Sequence, residues 1–190
     1  MLKTRPGGRT ARTRAAVFSA VEALLQEKEP SAISMPEIAT RAGVAPTSLY
    51  RRWGDVRTLL TEVAVEGLMR DAPLPDTGTL RGDLRAWGRS VAAGLARPEG
   101  STFFRVYVGA VPRSGEEVAG RVQAIGARLA QIDAMLDRAR ARGEAPPQVI
   151  EVTDHLLAPL YMRALFGVPA DAKVAEGLVD YLLGGRRPIP

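Results

Sequence analysis

Two short stretches of this 190-residue chain bring hydroxyls and guanidiniums together at helical spacing. Ser34-Met35-Pro36-Glu37 has the pattern of a helix start, with Ser34 placed to accept from the backbone N–H of Glu37 and Pro36 tolerated in the first turn. Gly43 ends that helix as a C-cap glycine would. After Val44 and Ala45, Pro46 occupies a first helical position and opens a second short helix that runs to about Trp53. With Leu49 and Trp53 turned toward a core, its outward residues are Thr47, Ser48, Arg51 and Arg52. Two short helices joined by a tight turn lay the second one in the major groove of duplex DNA, where such side chains reach phosphates and base edges.

Other chemistry is scarce. The chain has one histidine, His155, and no cysteine, which removes disulfides, thiolate zinc sites and cysteine nucleophiles together. Carboxylates form no recognisable catalytic pair, and the glycine pairs at 7–8 and 184–185 lack the strand context of a nucleotide fold. Neither an enzyme nor a cofactor nor a metal is expected. Pro159 cannot donate to the carbonyl of His155, so a kink and a freed acceptor are expected there. Two readings of His155 stay open: a polar spot facing a ligand cavity, or part of a bend that shapes a subunit interface.

The elements that must position these groups read as helices throughout. Hydrophobic residues make up 46% and aromatic residues 5% of the chain, and strand-forming runs are few. Residues 1–11 read as a basic arm, followed by a helix from about Arg12 to Gln26 carrying Val17, Phe18, Val21, Leu24 and Leu25 at helical spacing. The two short helices come next, the first turning Ile38, Ala39 and Ala42 inward. A fourth helix, Val56 to about Arg70, leads into the breaker-rich APLPDTG segment. Five more helices follow. One carries Leu80, Leu84, Trp87, Val91 and Leu95, and a shorter one Phe103, Phe104, Val106, Tyr107 and Val111. A long one over Glu116–Arg142 has a seam of Val118, Val122, Ile125, Leu129, Ile132 and Leu136, and the last two span Gln148–Phe166 and Ala170–Leu183. The fold class is therefore all-α, with about nine helices. Residues 1–55 form a DNA-binding domain with a basic arm, and residues 56–190 form a helical effector-binding and dimerisation domain.

Charge is divided unevenly between those parts. The net charge is +5, and residues 1–60 carry 10 Lys and Arg against 5 Asp and Glu, whereas residues 61–190 carry 16 of each. An excess confined to one end marks a polyanion-binding end. No stretch approaches the ~20 apolar residues of a membrane span and nothing resembles an export signal, so the expected location is cytoplasmic.

The run from Met35 to Trp53, with Ala42-Gly43-Val44 at the turn and Leu49-Tyr50-Arg51 ahead of an aromatic, resembles the signature of the TetR family of transcriptional regulators. The order of three helices, a connector and further helices agrees with that family. The resemblance implies a homodimer that binds a palindromic DNA operator, paired through the last two helices. It implies that Ser34 offers its hydroxyl and helix N-terminus to a phosphate, besides capping the helix, and that Thr47 and Ser48 touch a phosphate or a base edge. By the same resemblance Tyr50 donates to a phosphate, and Arg51 and Arg52 read guanine or pair with phosphate, Arg52 ranking first as base reader. Arg5, Arg9, Arg12 and Arg14 on the arm would add nonspecific attraction. Val56 stands where many members carry lysine, leaving a phosphate contact missing or shifted to Arg57, and Asp55 looks like the N-cap of that helix.

A small-molecule effector is expected in a mostly apolar cavity among the fifth to eighth helices, with Trp87, Phe103, Phe104, Tyr107, Met135, His155 and Tyr161 as candidate lining residues. Few formal charges in that lining favour a hydrophobic or aromatic ligand. Together these readings give a ligand-released repressor. The alternative is an effector-independent architectural or activating DNA-binding protein.

Overall fold

The computed structural model describes residues 8–109, 118–168 and 170–184, with the side chains of 8, 9, 118–125 and 127 left aside. Arg5, Val111 and the side chains of Arg9, Val118, Val122 and Ile125 therefore lie outside the described residues. Among the described residues the chain forms nine helices and no strand. Two compact units divide at Ala64/Val65, inside the fourth helix.

In the first unit, α1 spans Gly8–Glu27, so the arm expected over residues 1–11 is shorter and both Arg12 and Arg14 are helical. A helix nucleated by the buried ladder Val17, Phe18, Val21, Leu24 and Leu25 extends backward at one hydrogen bond per residue fixed. A short 3₁₀ turn, Pro30–Ala32, leads into α2, Met35–Ala42, and α3, Pro46–Trp53. α2 packs Met35, Ile38 and Ala39 into the core, and α3 packs Leu49 and Trp53. α4, Val56–Asp71, starts in this unit and is capped by Asp55, whose Oδ1 accepts from the Thr58 N–H at 2.8 Å.

The second unit is built around α5, Leu80–Ala96, which packs against α6, Pro98–Gly109, α7, Val118–Ala141, and two further helices. α8 occupies 149–165: it is α-helical over Val149–Val152, passes through a π turn over Thr153–Leu157, and resumes at Ala158–Leu165. The kink expected at Pro159 takes this form, the Ala158 N–H returning to the Thr153 carbonyl five residues back. α9, Ala172–Gly184, closes the unit. The core joins Leu84, Trp87 and Val91 of α5 to Ile132, Met135 and Leu136 of α7, Leu156 and Leu160 of α8, and Val179 of α9. On the outer side, Arg81 and Arg85 pair with Asp180, and Arg89 pairs with Glu176, which seats α9 on α5.

A polar clamp fixes the breaker segment ahead of α5. Asp83 is fully buried and accepts from the Thr77 hydroxyl at 2.8 Å, while the Arg142 Nη2 lies 3.3 Å from its other oxygen. Glu144 accepts from the Leu80 N–H at 2.9 Å and pairs with Arg142 at 3.0 Å. Hydrogen bonding to Glu144 is the main reason the Arg142 guanidinium is held above its ordinary pKa. The apolar ladder of α5 and the end of α7 are thereby fixed to one loop.

α5 and α6 approach so closely that a Cβ on Gly100 would lie 2.0 Å from the Gly94 carbonyl oxygen, and between α4 and α6 a Cβ on Gly67 would lie 2.5 Å from the Phe103 ring. A ring can turn aside, whereas a helix carbonyl cannot. Gly100→Ala is expected to destabilise by about 1–3 kcal/mol and Gly67→Ala by less, measured by urea unfolding of each variant. A Gly100→Ala protein as stable as the parent would show that the two helices separate freely.

Candidate nucleic-acid interface and the helical unit behind it

The turn between α2 and α3 is set by Gly43, which has φ 65° and ψ 36°, a left-handed conformation that costs glycine no Cβ clash. The Val44 N–H bonds back to the Ala39 carbonyl at 3.0 Å and the Gly43 N–H to Thr40 at 3.2 Å, the double closure of a Schellman cap. Ala45 then precedes Pro46 in extended conformation, and α3 starts at the proline. The capping box expected at Ser34 is not formed: the Ser34 side chain makes no cap bond. Glu37 also pairs with Lys28, whose hydrogen bond is the largest cause holding the Glu37 carboxyl below its usual range, with the Ser34 backbone N–H contributing less. Ser34 is exposed, its hydroxyl unspent on the helix it precedes.

On α3, Thr47, Tyr50, Arg51 and Arg52 are exposed and Ser48 is half-buried. At about 100° per residue, Arg51 lies directly across the helix from the midpoint of the buried Leu49 and Trp53. Thr47 and Ser48 sit on either side of Arg51, and Tyr50 and Arg52 take the two flanks. The Arg52 guanidinium rests 5.4 Å from the centre of the Trp53 ring. The side chain best aimed away from the protein is therefore Arg51, not Arg52. Val56 is half-buried and Arg57 exposed at the start of α4.

The far end of α3 is held by Glu62 of α4. Its Oε2 accepts from the Trp53 indole N–H at 2.7 Å, and its Oε1 accepts from Arg14 of α1 at 3.0 and 3.2 Å. Arg14 also lies over the Phe18 ring at 4.0 Å. Arg14 is thus part of the domain's frame rather than an arm residue reaching outward. One carboxylate ties together three of the four helices.

In the second unit the expected lining residues separate. Trp87 and Met135 are fully buried, and Phe103 and Phe104 nearly so. Tyr107 is half-buried, and His155 is exposed, edge-on to Tyr181 of α9 at 5.7 Å. His155 therefore sits on the α8/α9 surface. One cavity among the described residues is lined by Leu68, Asp71, Ala72, Val91, Gly94, Leu95, Arg128 and Tyr161, and its volume is about 10 Å³, room for a single water. Only Tyr161 of the expected set borders it; the other aromatics are consumed by packing, with Phe104 and Tyr161 stacked at 4.9 Å.

Family models match both parts of this sequence. That for bacterial regulatory proteins of the tetR family covers residues 17–63, and that for a tetracyclin repressor-like C-terminal domain covers residues 74–182. The chain belongs to the TetR family. Among TetR-type relatives, the HTH-type transcriptional regulator AqdR of Rhodococcus erythropolis is 29% identical over 157 residues, 83% of this chain and 73% of that protein. The uncharacterized HTH-type transcriptional regulator YdeS of Bacillus subtilis (strain 168) is 28% identical over 157 residues, 80% of this chain and 78% of its own. The crystal structure of the TetR family transcription regulator SCO0332 superposes with a TM-score of 0.79 at 28% identity, covering 93% of this chain and 99% of that one. A TetR transcriptional regulator from Rhodococcus sp. RHA1 shares the fold, with a TM-score of 0.67 at 22% identity over 95% of this chain and 100% of that one. This protein is accordingly a TetR-family DNA-binding transcriptional regulator, related to regulators and not to enzymes. No helix among its described residues is long and apolar enough to cross a membrane.

Two residues that matter to this TetR-family chain escaped the motif. Glu62 meets Arg14 across 48 positions, a pairing no local pattern announces. Arg128 is 8% exposed, and a signal for it existed: it falls in step with Ile132 and Met135 on the buried face of α7. The Arg14–Glu62 pair is itself about 40% exposed, at 38% and 41%, so its ionic part is worth less than ~1 kcal/mol. Stranding the N–H of Trp53, which is 6% exposed, costs more, ~1–3 kcal/mol. Glu62→Ala is expected to lose that larger amount in urea unfolding, whereas Glu62→Gln keeps an acceptor and loses under ~1 kcal/mol. Equal losses in the two variants would remove the indole bond from the account.

Proposed function

We propose that this TetR-family protein is a homodimeric repressor that binds a palindromic operator through α3 of each subunit and is released by a small ligand held in its C-terminal unit. The observation that carries the reading is the outward face of α3: Thr47, Ser48 and Arg51 opposite the buried Leu49 and Trp53, with Tyr50 and Arg52 on the flanks. In this reading Arg51 makes the bidentate contact to a guanine edge. Arg52, Tyr50, Thr47, Ser48 and the free Ser34 hydroxyl hold phosphates and set the register.

Pairing of subunits is supported by apolar surface left uncovered on and just after α8. Ile150, Met162, Leu165, Phe166 and Val168 are exposed, Phe166 at 72%. α9 contributes less than its composition suggests, because Ala175, Leu178 and Val179 are already buried against the rest of the unit. Release by ligand is supported by the path of α4: Leu68 and Asp71 near its C-terminus line the cavity, and its N-terminus follows directly on α3. A cavity with room for no more than one water favours a second reading, a DNA-binding protein without an effector. A metabolite panel separates the two, since a ligand specific for the folded state raises the melting temperature.

Arg51→Ala is expected to weaken specific operator binding by ~1–3 kcal/mol and to relax preference at one base pair, whereas Arg52→Ala weakens binding evenly across sequences. Titration of each variant against an operator selected from random DNA, and against point-substituted versions of it, decides the assignment. The reverse pattern would return the base-reading role to Arg52. For the assembly, Phe166→Glu is expected to give a monomer by light scattering and to abolish operator binding at physiological salt. A Phe166→Glu dimer that still binds would move the interface elsewhere.

A further inference from the structure

The buried guanidinium of Arg128 has no carboxylate within ion-pair distance among the described residues. Its Nη1 donates to the Ala72 carbonyl at 3.2 Å and to Gln131 Oε1 at 3.3 Å. Its plane lies 4.9 Å from the Trp87 ring centre, and Tyr161 is its remaining polar neighbour. Burial pushes the Arg128 guanidinium below its ordinary pKa and the Tyr161 phenol above its own. Arginine nonetheless keeps its proton under all ordinary conditions, so the fold carries an uncompensated buried charge, an arrangement that destabilises. A guanidinium has five donor hydrogens, and the two acceptors above take those on one nitrogen. The carboxylate nearest to hand, Asp71, lines the same cavity but is committed to Arg97 at 2.8 Å.

The rest of the wall is apolar: Leu68, Val91 and Leu95. We propose that the effector is an amphipathic monocarboxylate whose head group is bound by Arg128 and the Tyr161 hydroxyl and whose hydrocarbon lies against those three side chains. A single buried cation matches a single negative charge, which favours a carboxylate over a phosphate dianion. This inference rests on the effector reading above and narrows the hydrophobic or aromatic ligand expected from the few formal charges of the candidate lining. It also supplies a coupling. The Ala72 carbonyl immediately follows α4, where a cation is favourably placed against the helix dipole, and Trp87 Nε1 donates to the same oxygen at 3.2 Å. An anion that draws the guanidinium toward itself withdraws it from the end of the helix that leads back to α3. Opening the present cavity to admit the chain requires Leu68 and its neighbours to part, which displaces the same helix end.

Isothermal titration of the full-length protein with octanoate and with octanamide tests the head group. Octanoate is expected to bind about tenfold or more tightly than the neutral amide, the effect of one hydrogen bond to a charged group. Arg128→Met is expected to erase that difference. Because it also removes an unpaired buried charge, it should leave the melting temperature unchanged or raise it. If Arg128→Met fails to fold, Arg128→Gln and Tyr161→Phe carry the same comparison. Equal affinity for acid and amide, no octanoate binding at millimolar concentration, or an acid preference that survives Arg128→Met overturns the proposal. A melting temperature lowered by Arg128→Met with no acid preference in the parent makes Arg128 a structural strut. Operator titration with octanoate present then separates the two layers: an acid preference that depends on Arg128 but leaves operator affinity unchanged keeps the anion site and removes the effector role.

Discussion

The first unit depends on a single acceptor. The indole N–H of Trp53 is buried and must be satisfied, and Glu62 is the group that satisfies it. Because that carboxylate also holds Arg14, the orientation of α3 is fixed at its C-terminal end by α1 and α4 at once. Its N-terminal end is fixed by the Gly43 turn and by Pro46, which need nothing from elsewhere in the chain. A helix of eight residues is too short to be stable by itself. Its two ends are secured by different means, one conformational and one electrostatic, and the exposed side chains between them are left free of internal duties.

The second unit uses buried polar groups in the opposite sense. Asp83 accepts from the Thr77 N–H and hydroxyl and pairs with the Arg142 guanidinium, so its burial is compensated and it fixes a loop. Arg128 is nearly as deeply buried but among the described residues is given only neutral partners. The contrast matters because both residues lie on faces that are otherwise apolar. One is closed by its neighbours, and the other leaves hydrogen-bonding capacity beside a cavity.

Much of this was legible in the residues. Helix order, the glycine and proline boundaries, the Asp55 cap and the inward set Leu49 and Trp53 all follow from local rules that the fold does not override. The departures share a physical cause. The start of α1 was decided by a propagating buried ladder, and at the start of α2 the Glu37 carboxylate is also held by Lys28 from outside the local window. Large aromatic side chains signal core far more often than lining: Trp87, Phe103 and Phe104 fill space, and the small cavity is bordered by aliphatic residues together with Asp71, Arg128 and Tyr161. Arg51 against Arg52 was readable from helix phase alone, since the direction opposite Leu49 and Trp53 needs no coordinates.

The π turn in α8 sets the phase of the surface that follows it. One additional residue within a turn advances everything downstream by about 100° relative to an uninterrupted α-helix. Met162, Leu165 and Phe166 thus point where they do because of Thr153–Leu157, while Ile150, ahead of the turn, keeps its original bearing. A chain one residue shorter in this segment would retain every one of those side chains and yet display them around the helix in a different direction. The geometry with which this surface meets another molecule is therefore encoded in residue count as much as in residue type.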